Sequence, residues 1–492
     1  MTKLDNLPFD HCYAALGSAY FSPSRPTACA DPYVVSINES ALALIGLTQT
    51  ETTHPDFAAY FSGNQALPGA NPLAMLYAGH QFGHYVPQLG DGRAILLGQV
   101  RNADKTLWDI QLKGAGQTAY SRSADGRAVL RSTIREYLCS EAMQALGIPT
   151  TRALCIIGSD DEIYRETIET GAILTRLAPS HVRFGSFEVF YHRQDYARIK
   201  PLADYVITQF YPDLWDHTER YLTWFNQVIQ RTAELMAQWQ VVGFSHGVMN
   251  TDNMSILGLT LDYGPFGFLD RYNPGFVCNH SDHSGRYAFD QQPSIGLWNL
   301  SCLAQAILPL FDPEPELAVE QAKACLETYW PHYAKKYQQL MRSKLGLQSA
   351  QTNDGELVKT LLAMMAKAHA DYTITFRQLA NMLTGEPVHP SLTMLYHSDA
   401  FKHWLGDYQA RLQQEPLTPR LRAQQMRQVN PVYILRNYMA ETAIKQAENK
   451  DYTEVDRLLS LLQHPFEEQP EMSHYAEPPP SWAEKIQVSC SS

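Results

Sequence analysis

The sequence predicts an α+β protein of two lobes, on two observations. Between residues 71 and 178 a run of strict alternation, Leu107-Trp-Asp-Ile-Gln-Leu-Lys113, leads into one long amphipathic pattern, whereas from 179 to about 463 the helical period dominates. A change of period along one chain separates a sheet-bearing region from a helical one. With 492 residues, 45% of them hydrophobic, the chain is long enough for a sizeable core and more than one lobe.

Taken in order, residues 1–70 are Pro-rich and read as an irregular N-terminal extension. Gln88-Leu-Gly-Asp-Gly-Arg-Ala94 is a turn with two glycines, Gly90 and Gly92, closing on the fixed charge of Arg93. In the strand 107–113, Trp108, Ile110 and Leu112 fall on one face and Asp109, Gln111 and Lys113 on the other, which aims Lys113 away from the packed side. Asp125 is placed to cap a helix whose apolar residues include Val129, Leu130, Ile134, Tyr137, Leu138, Ala142 and Leu146, with Gly147 and Pro149 as stop signals. Glu136 lies beside that stripe. A second long helical pattern runs from Asp213 to Gln240 through Trp215, Tyr221, Phe225, Ile229, Met236 and Trp239. Pro478-Pro-Pro480 breaks regular structure within the tail 464–492.

The most informative stretch is His246-Gly-Val-Met-Asn-Thr-Asp-Asn253, followed by Asp262-Tyr-Gly264. Protein kinases carry H-R-D-x-x-x-x-N and then D-F-G, where the first Asp accepts the substrate proton and the Asn and second Asp hold metal ions. His246, Asn253 and Asp262 match that order, but Val248 stands where the base belongs. An isopropyl group accepts no proton. The chain therefore either binds nucleotide without phosphoryl transfer or performs a rearranged chemistry.

Upstream, Lys113 on a strand and Glu136 on the next helix fit the pair with which kinases anchor nucleotide phosphates, the carboxylate fixing a flexible ammonium. Taken alone, the pair reads as an ordinary solvent-exposed ion pair, and Asp252-Asn253 as a turn. Neither reading accounts for both motifs occurring in kinase order. The expected fold is accordingly protein-kinase-like, with a small lobe at 71–178 and a mainly helical large lobe at 179–463.

Gly90-Asp-Gly-Arg93, Lys113-Gly-Ala-Gly-Gln-Thr118, Ser123-Ala-Asp-Gly-Arg127, Arg176 with Val182-Arg-Phe-Gly-Ser-Phe-Glu188, the 246–253 loop, Asp262-Tyr-Gly-Pro265 and the ending Val488-Ser-Cys-Ser-Ser492 together resemble the selenoprotein O family over nearly the whole chain. The resemblance implies a pseudokinase-like fold that binds ATP in a flipped orientation and transfers AMP to hydroxyls of protein substrates. It places ATP contacts on Gly90, Gly92, Arg93, Lys113, Asp125, Gly126, Arg176 and Arg183, metal ligands (Mg2+ or Mn2+) on Asn253 and Asp262, and the proton acceptor on Asp252. The arginines suit a pyrophosphate leaving group, whose charge needs several cations. UTP is admitted as an alternative donor. Two other functions remain open: a phosphotransferase using Asp252 as base, and a non-catalytic nucleotide-binding, redox-responsive scaffold.

The family places selenocysteine or cysteine third from the end, here Cys490. Cys278, in the stretch corresponding to an activation segment, is its candidate redox partner, and both read as accessible. The eight cysteines include no C-x-x-C pair or zinc spacing, which fits a reducing compartment. His80-Gln-Phe-Gly-His84 lacks the glutamate of a helical zinc motif and reads as structural. His280 and His283 near Cys278 find no second cluster to close a metal site. No G-x-x-x-x-G-K-[ST] run is present. A formal net charge of −12 argues against nucleic acid, and neither a signal peptide nor a membrane span is legible, so a cytoplasmic location is expected. The oligomeric state is not written in the sequence, and a monomer is compatible with it.

Overall fold

The computed structural model describes residues 2–488, so Cys490 lies outside the described residues. The fold is mixed α and β, with a mainly helical C-terminal region. Its strands are β1 (Phe9–Asp10), β2 (Phe21–Pro23), β3 (Tyr33–Ile37), β4 (Leu73–Met75), β5 (Gly79–Gln81), β6 (His84–Val86), β7 (Ala94–Arg101), β8 (Leu107–Lys113), β9 (Ala128–Val129), β10 (Arg152–Tyr164), β11 (Ile168–Ala178), β12 (Phe244–Ser245) and β13 (Gly267–Phe268). Nine of them form one antiparallel sheet in the order β2-β4-β7-β8-β11-β10-β3, with β1 added to β7 and β9 to β11. β5 and β6 make a hairpin, and β12 pairs with β13.

The alternation in β8 sorts its side chains as the sequence predicts, but both faces are covered. Ile110 and Leu112 join a core with Leu42, Phe57 and Phe61, residues of the N-terminal segment. Asp109, Gln111 and Lys113 face the other way into a buried polar layer, each no more than 9% exposed. The expectation of an irregular segment over residues 1–70 is therefore corrected: it supplies β1, β2 and β3 and closes one face of the sheet. Its prolines cut the segment into elements of a few residues, too short to show a period. Pro23 sits on β2, at the end of the sheet order, where a missing N–H is tolerated.

The helix Leu130–Ala145 starts later than expected, without a side-chain cap, because Ala128 and Val129 are taken up by pairing with β11. Asp125 is not its cap. It accepts the Arg127 backbone N–H at 2.9 Å and pairs with Arg165 instead. The helix is buried almost all round, and its charged side chains find partners: Glu141 holds Arg152 at 2.7 Å and Arg135 Nη2 donates to the Phe266 carbonyl at 3.0 Å.

The second long helix spans Arg220–Val242, ending at Gly243 in the left-handed conformation. Trp215 lies outside it, after a 3-10 turn begun by Pro212, and is 42% exposed. Three of the helices beyond follow ordinary start signals: Asp371, Ser398 and Thr418 each accept a backbone N–H of the first turn they open, the last with Pro419 following. A separate core including Phe376, Leu379, Trp404, Tyr408 and Met426 holds them together. Helix Thr453–Leu462 returns to the sheet-bearing half, where Asp456 accepts from Ser36 at 2.6 Å. Among the described residues no helix is long and apolar enough to cross a membrane.

Candidate active site

The polar layer under β8 is the floor of a cleft. Arg176 stands opposite Gln111 in the β11–β8 register, and its Nε donates to the Gln111 side-chain Oε1 at 3.1 Å. Lys113 Nζ lies 2.5 Å from Glu136 Oε2, and Arg176 Nη1 lies 3.2 Å from Glu136 Oε1, so one carboxylate aligns both cations. The ammonium also reaches Asp262 at 3.4 Å, and Arg176 and Arg183 each bond Asp262 directly. Lys113, Glu136, Arg176 and Arg183 are all at least nine-tenths buried. Three cations thus face two carboxylates, an excess of positive charge suited to an anion.

Burial opposes ionisation of Asp262, but Arg183, Arg176 and Lys113 outweigh it and hold the carboxyl well below its ordinary range. Asp262 also takes a left-handed backbone, φ 54°, a conformation non-glycine residues adopt mainly at turns and strained functional positions. His246 secures the approach to it. Its Nε2 lies 2.8 Å from the Leu261 carbonyl, its Nδ1 faces the Val248 N–H at 3.4 Å, and its ring stacks on Trp239. Burial pushes its pKa down, keeping the ring neutral, in agreement with one nitrogen donating and the other accepting. Val248 contributes through its backbone: its carbonyl accepts from Asn253 Nδ2 at 3.0 Å.

Asp252 is 7% exposed. Its Oδ2 accepts from Gln81 Nε2 at 3.2 Å, while its Oδ1 is buried with no partner among the described residues. Burial pushes its pKa up to about 7, only partly offset by Gln81 and Arg183.

The glycine turn forms a rim. Asp91 is buried and accepts from the Met75 N–H at 3.1 Å and from Gln111 Nε2 at 3.0 Å, tying the turn to the floor. Thr118 and Ser121 donate to the carbonyls of Asp91 and Gly92. Gly90 has φ 102°, and a Cβ there would stand 2.6 Å from the Tyr120 ring; Gly126 has φ 68°, and a Cβ would stand 2.2 Å from the Gly116 carbonyl. Both positions require glycine for backbone conformation and for close approach. Asp125 completes the rim, bridged to Arg165 from the β10–β11 hairpin at 2.7 Å.

A cavity of about 840 Å³ brings together Gly90, Gly92, Arg93, Lys113, Asp125, Gly126, Arg176, Arg183, Asp252, Asn253 and Asp262. Glu136 does not line it but lies behind Lys113. Cys278 is also away from it, and the expectation that it is accessible is corrected: it is 9% exposed, its Sγ lies 3.5 Å from the Ser245 carbonyl, and it packs beneath Gly247. The sequence reading missed Tyr77, whose ring carries the Arg183 guanidinium at 4.6 Å, along with Gln81, Asp91 and Arg165. Gln111 and Asp109 were placed on the face of Lys113, a signal that the face was polar and shared.

Similarity to known proteins accords with this geometry. Residues 3–463 match the family described as Protein adenylyltransferase SelO. A protein of Thioalkalivibrio sulfidiphilus named Protein nucleotidyltransferase YdiU is 55% identical, with all of both chains covered. Proteins of the same name from Myxococcus xanthus and Pseudomonas putida are 52% and 49% identical, again over all of both chains. The chain belongs to the SelO family of protein adenylyltransferases.

Proposed function

We propose that this member of a nucleotidyltransferase family transfers AMP from ATP, with UTP as an alternative donor of UMP, to Ser, Thr or Tyr hydroxyls of protein substrates. The observation that carries the reading is the replacement of the kinase base by Val248 together with the position of Asp252, a buried carboxylate that lines the cationic cavity. In this reading the acceptor hydroxyl oxygen attacks the α-phosphorus, its proton passes to the Asp252 carboxylate, and the bond to pyrophosphate breaks. A base with a pKa of about 7 is matched to that task at neutral pH. Lys113, Arg176, Arg183 and Arg93 balance the charge that develops on pyrophosphate. This assignment requires the nucleotide to lie flipped relative to a kinase, with its α-phosphate toward Asp252.

Asn253 and Asp262 offer hard oxygen donors, which suit Mg2+ or Mn2+. The ion would supply further charge compensation at the phosphates. Asp262 meets the cations Lys113, Arg176 and Arg183, so phosphates arriving over those groups would draw them off the carboxylate and release it for metal. Metal and nucleotide are thus expected to bind together.

The same reading treats residues 71–178 and 179–463 as the small and large lobes of a kinase-like body, between which the cavity lies. It also includes redox control through Cys278 and Cys490. The tail runs beside the Cys278 segment, since the Val488 carbonyl accepts from the His280 N–H at 3.1 Å. Intact-protein and peptide mass spectrometry of acceptor proteins incubated with ATP tests the reaction. An adenylyl adduct on a hydroxyl residue is expected, and a phosphoryl adduct in its place would overturn the reading.

A further inference from the structure

Behind the catalytic loop lies a cluster that the nucleotide chemistry does not use. Helix Gly185–His192 presents Glu188 and His192 one turn apart, on one face. His80 of β5 meets them there: its Nδ1 is 2.7 Å from Glu188 Oε2, and one ligand atom from each of the three residues lies within 4.8 Å of the others. Glu188 is fully buried, and its Oε1 has no hydrogen-bond partner among the described residues. A buried carboxylate with one oxygen unmatched is costly unless something else fills the position. A simple His80–Glu188 ion pair satisfies Oε2 and leaves Oε1 and His192 unexplained.

We propose that His80, Glu188 and His192 form a zinc-class metal site. Two imidazoles and a carboxylate are a donor set that favours Zn2+ and related transition ions over Mg2+, with a fourth position open to water. Tetrahedral zinc needs ligand atoms about 3.3 Å apart. His192, the exposed last residue of its helix, can close the remaining gap by ring rotation. The Tyr85 ring lies 3.8 Å from that of His192 and Trp298 meets His80 edge-on at 5.4 Å, so the imidazoles have aromatic neighbours. Metal binding displaces the proton shared between His80 Nδ1 and Glu188, which leaves to solvent. The site fastens the β5–β6 hairpin to the helix just beside the catalytic loop: the His80 N–H donates to Thr251 Oγ1 at 2.6 Å, and its neighbour Gln81 holds Asp252.

The test uses full-length protein stripped by a chelator and titrated with Zn2+ in competition with a chromogenic indicator, without nucleotide. One equivalent is expected to bind, with affinity lowered at least about 10-fold by His192→Ala and by Glu188→Gln, and unchanged by Asp262→Asn or Cys490→Ser. Zinc should also raise Tm and slow amide exchange over residues 79–86 in the parent protein but not in His192→Ala, a substitution at an exposed helix end that spares the core. Absence of stoichiometric binding overturns the proposal. So does binding unaffected by His192→Ala, which would place the ion elsewhere. Neither outcome bears on nucleotidyl transfer, so the two readings fail separately.

Discussion

Arg183 holds Asp252 by its backbone: guanidinium Nη1 donates to the Asp252 main-chain carbonyl at 2.7 Å. The same nitrogen bonds the Asp262 carboxylate, so one buried side chain sets the spacing between the proposed base and a proposed metal ligand. Replacing it by Lys keeps the charge but loses the planar fork. Arg183→Lys should lower kcat by about 10²-fold, the scale of a misplaced catalytic group. Steady-state kinetics over a range of ATP concentrations checks it, and an unchanged kcat would show that the link is dispensable.

Asp252→Ala should remove transfer while sparing nucleotide binding. Loss of a general base costs about 10² to 10⁴ in rate, whereas the phosphate-facing cations Lys113, Arg176 and Arg183 stay in place. Calorimetric titration of ATP with Mg2+ or Mn2+, set beside the transfer rate, separates the two effects. Transfer at the parental rate would show that Asp252 is not the base. Asp262→Asn should damage both binding and rate, because metal and nucleotide enter together.

Lys344 gives a pH dependence independent of the active site. It ends helix Tyr329–Lys344, 4% exposed, with Nζ 4.4 Å from the Phe376 ring centroid. Burial pushes its pKa from 10.5 down to about 7. Between those values the unfolded chain binds more protons than the folded one, so this residue makes stability rise with pH from about 7 towards 10.5. At neutral pH Lys344→Met should therefore be more stable than the parent, and by pH 9 the advantage should shrink by about 2 kcal/mol. Urea denaturation at both values measures it, and a pH-independent difference would count against a buried ammonium.

Redox pairing is tested by mapping peptides of oxidised protein. Recovery of Cys490 joined to Cys278 is expected, with transfer slowed until reductant is added. Cys490 joined to another cysteine would rule the pairing out. Equal activity with and without reductant would remove the switch while leaving the bridge.

How much was legible in the sequence follows from how local each signal is. The 246–253 loop and Asp262 were readable because their chemistry is written in one contiguous stretch, with Val248 conspicuous as the missing base. Lys113 and Glu136 were readable from strand and helix periods, yet not their burial, which depends on Arg176 lying across from Gln111 in sheet register. Residues 1–70 were misread because strands of two to five residues, broken by proline, fill no periodic window. Cys278 was misread as accessible because it follows Asp262-Tyr-Gly in a stretch corresponding to an activation segment, whereas its burial comes from Gly247, some thirty residues upstream and close against its Sγ. His80 drew notice only with His84, as a pair read as structural, because its meeting with Glu188 and His192 across the hairpin and the helix is tertiary.

The central claim is that the α-phosphate is the one transferred. ATP labelled at either the α or the γ phosphate, incubated with the protein, acceptor proteins and Mg2+ or Mn2+, tests it directly. The account predicts label on protein from the α position and none from the γ position, with the α signal lost in Asp252→Ala. Label arriving from the γ position alone would contradict it.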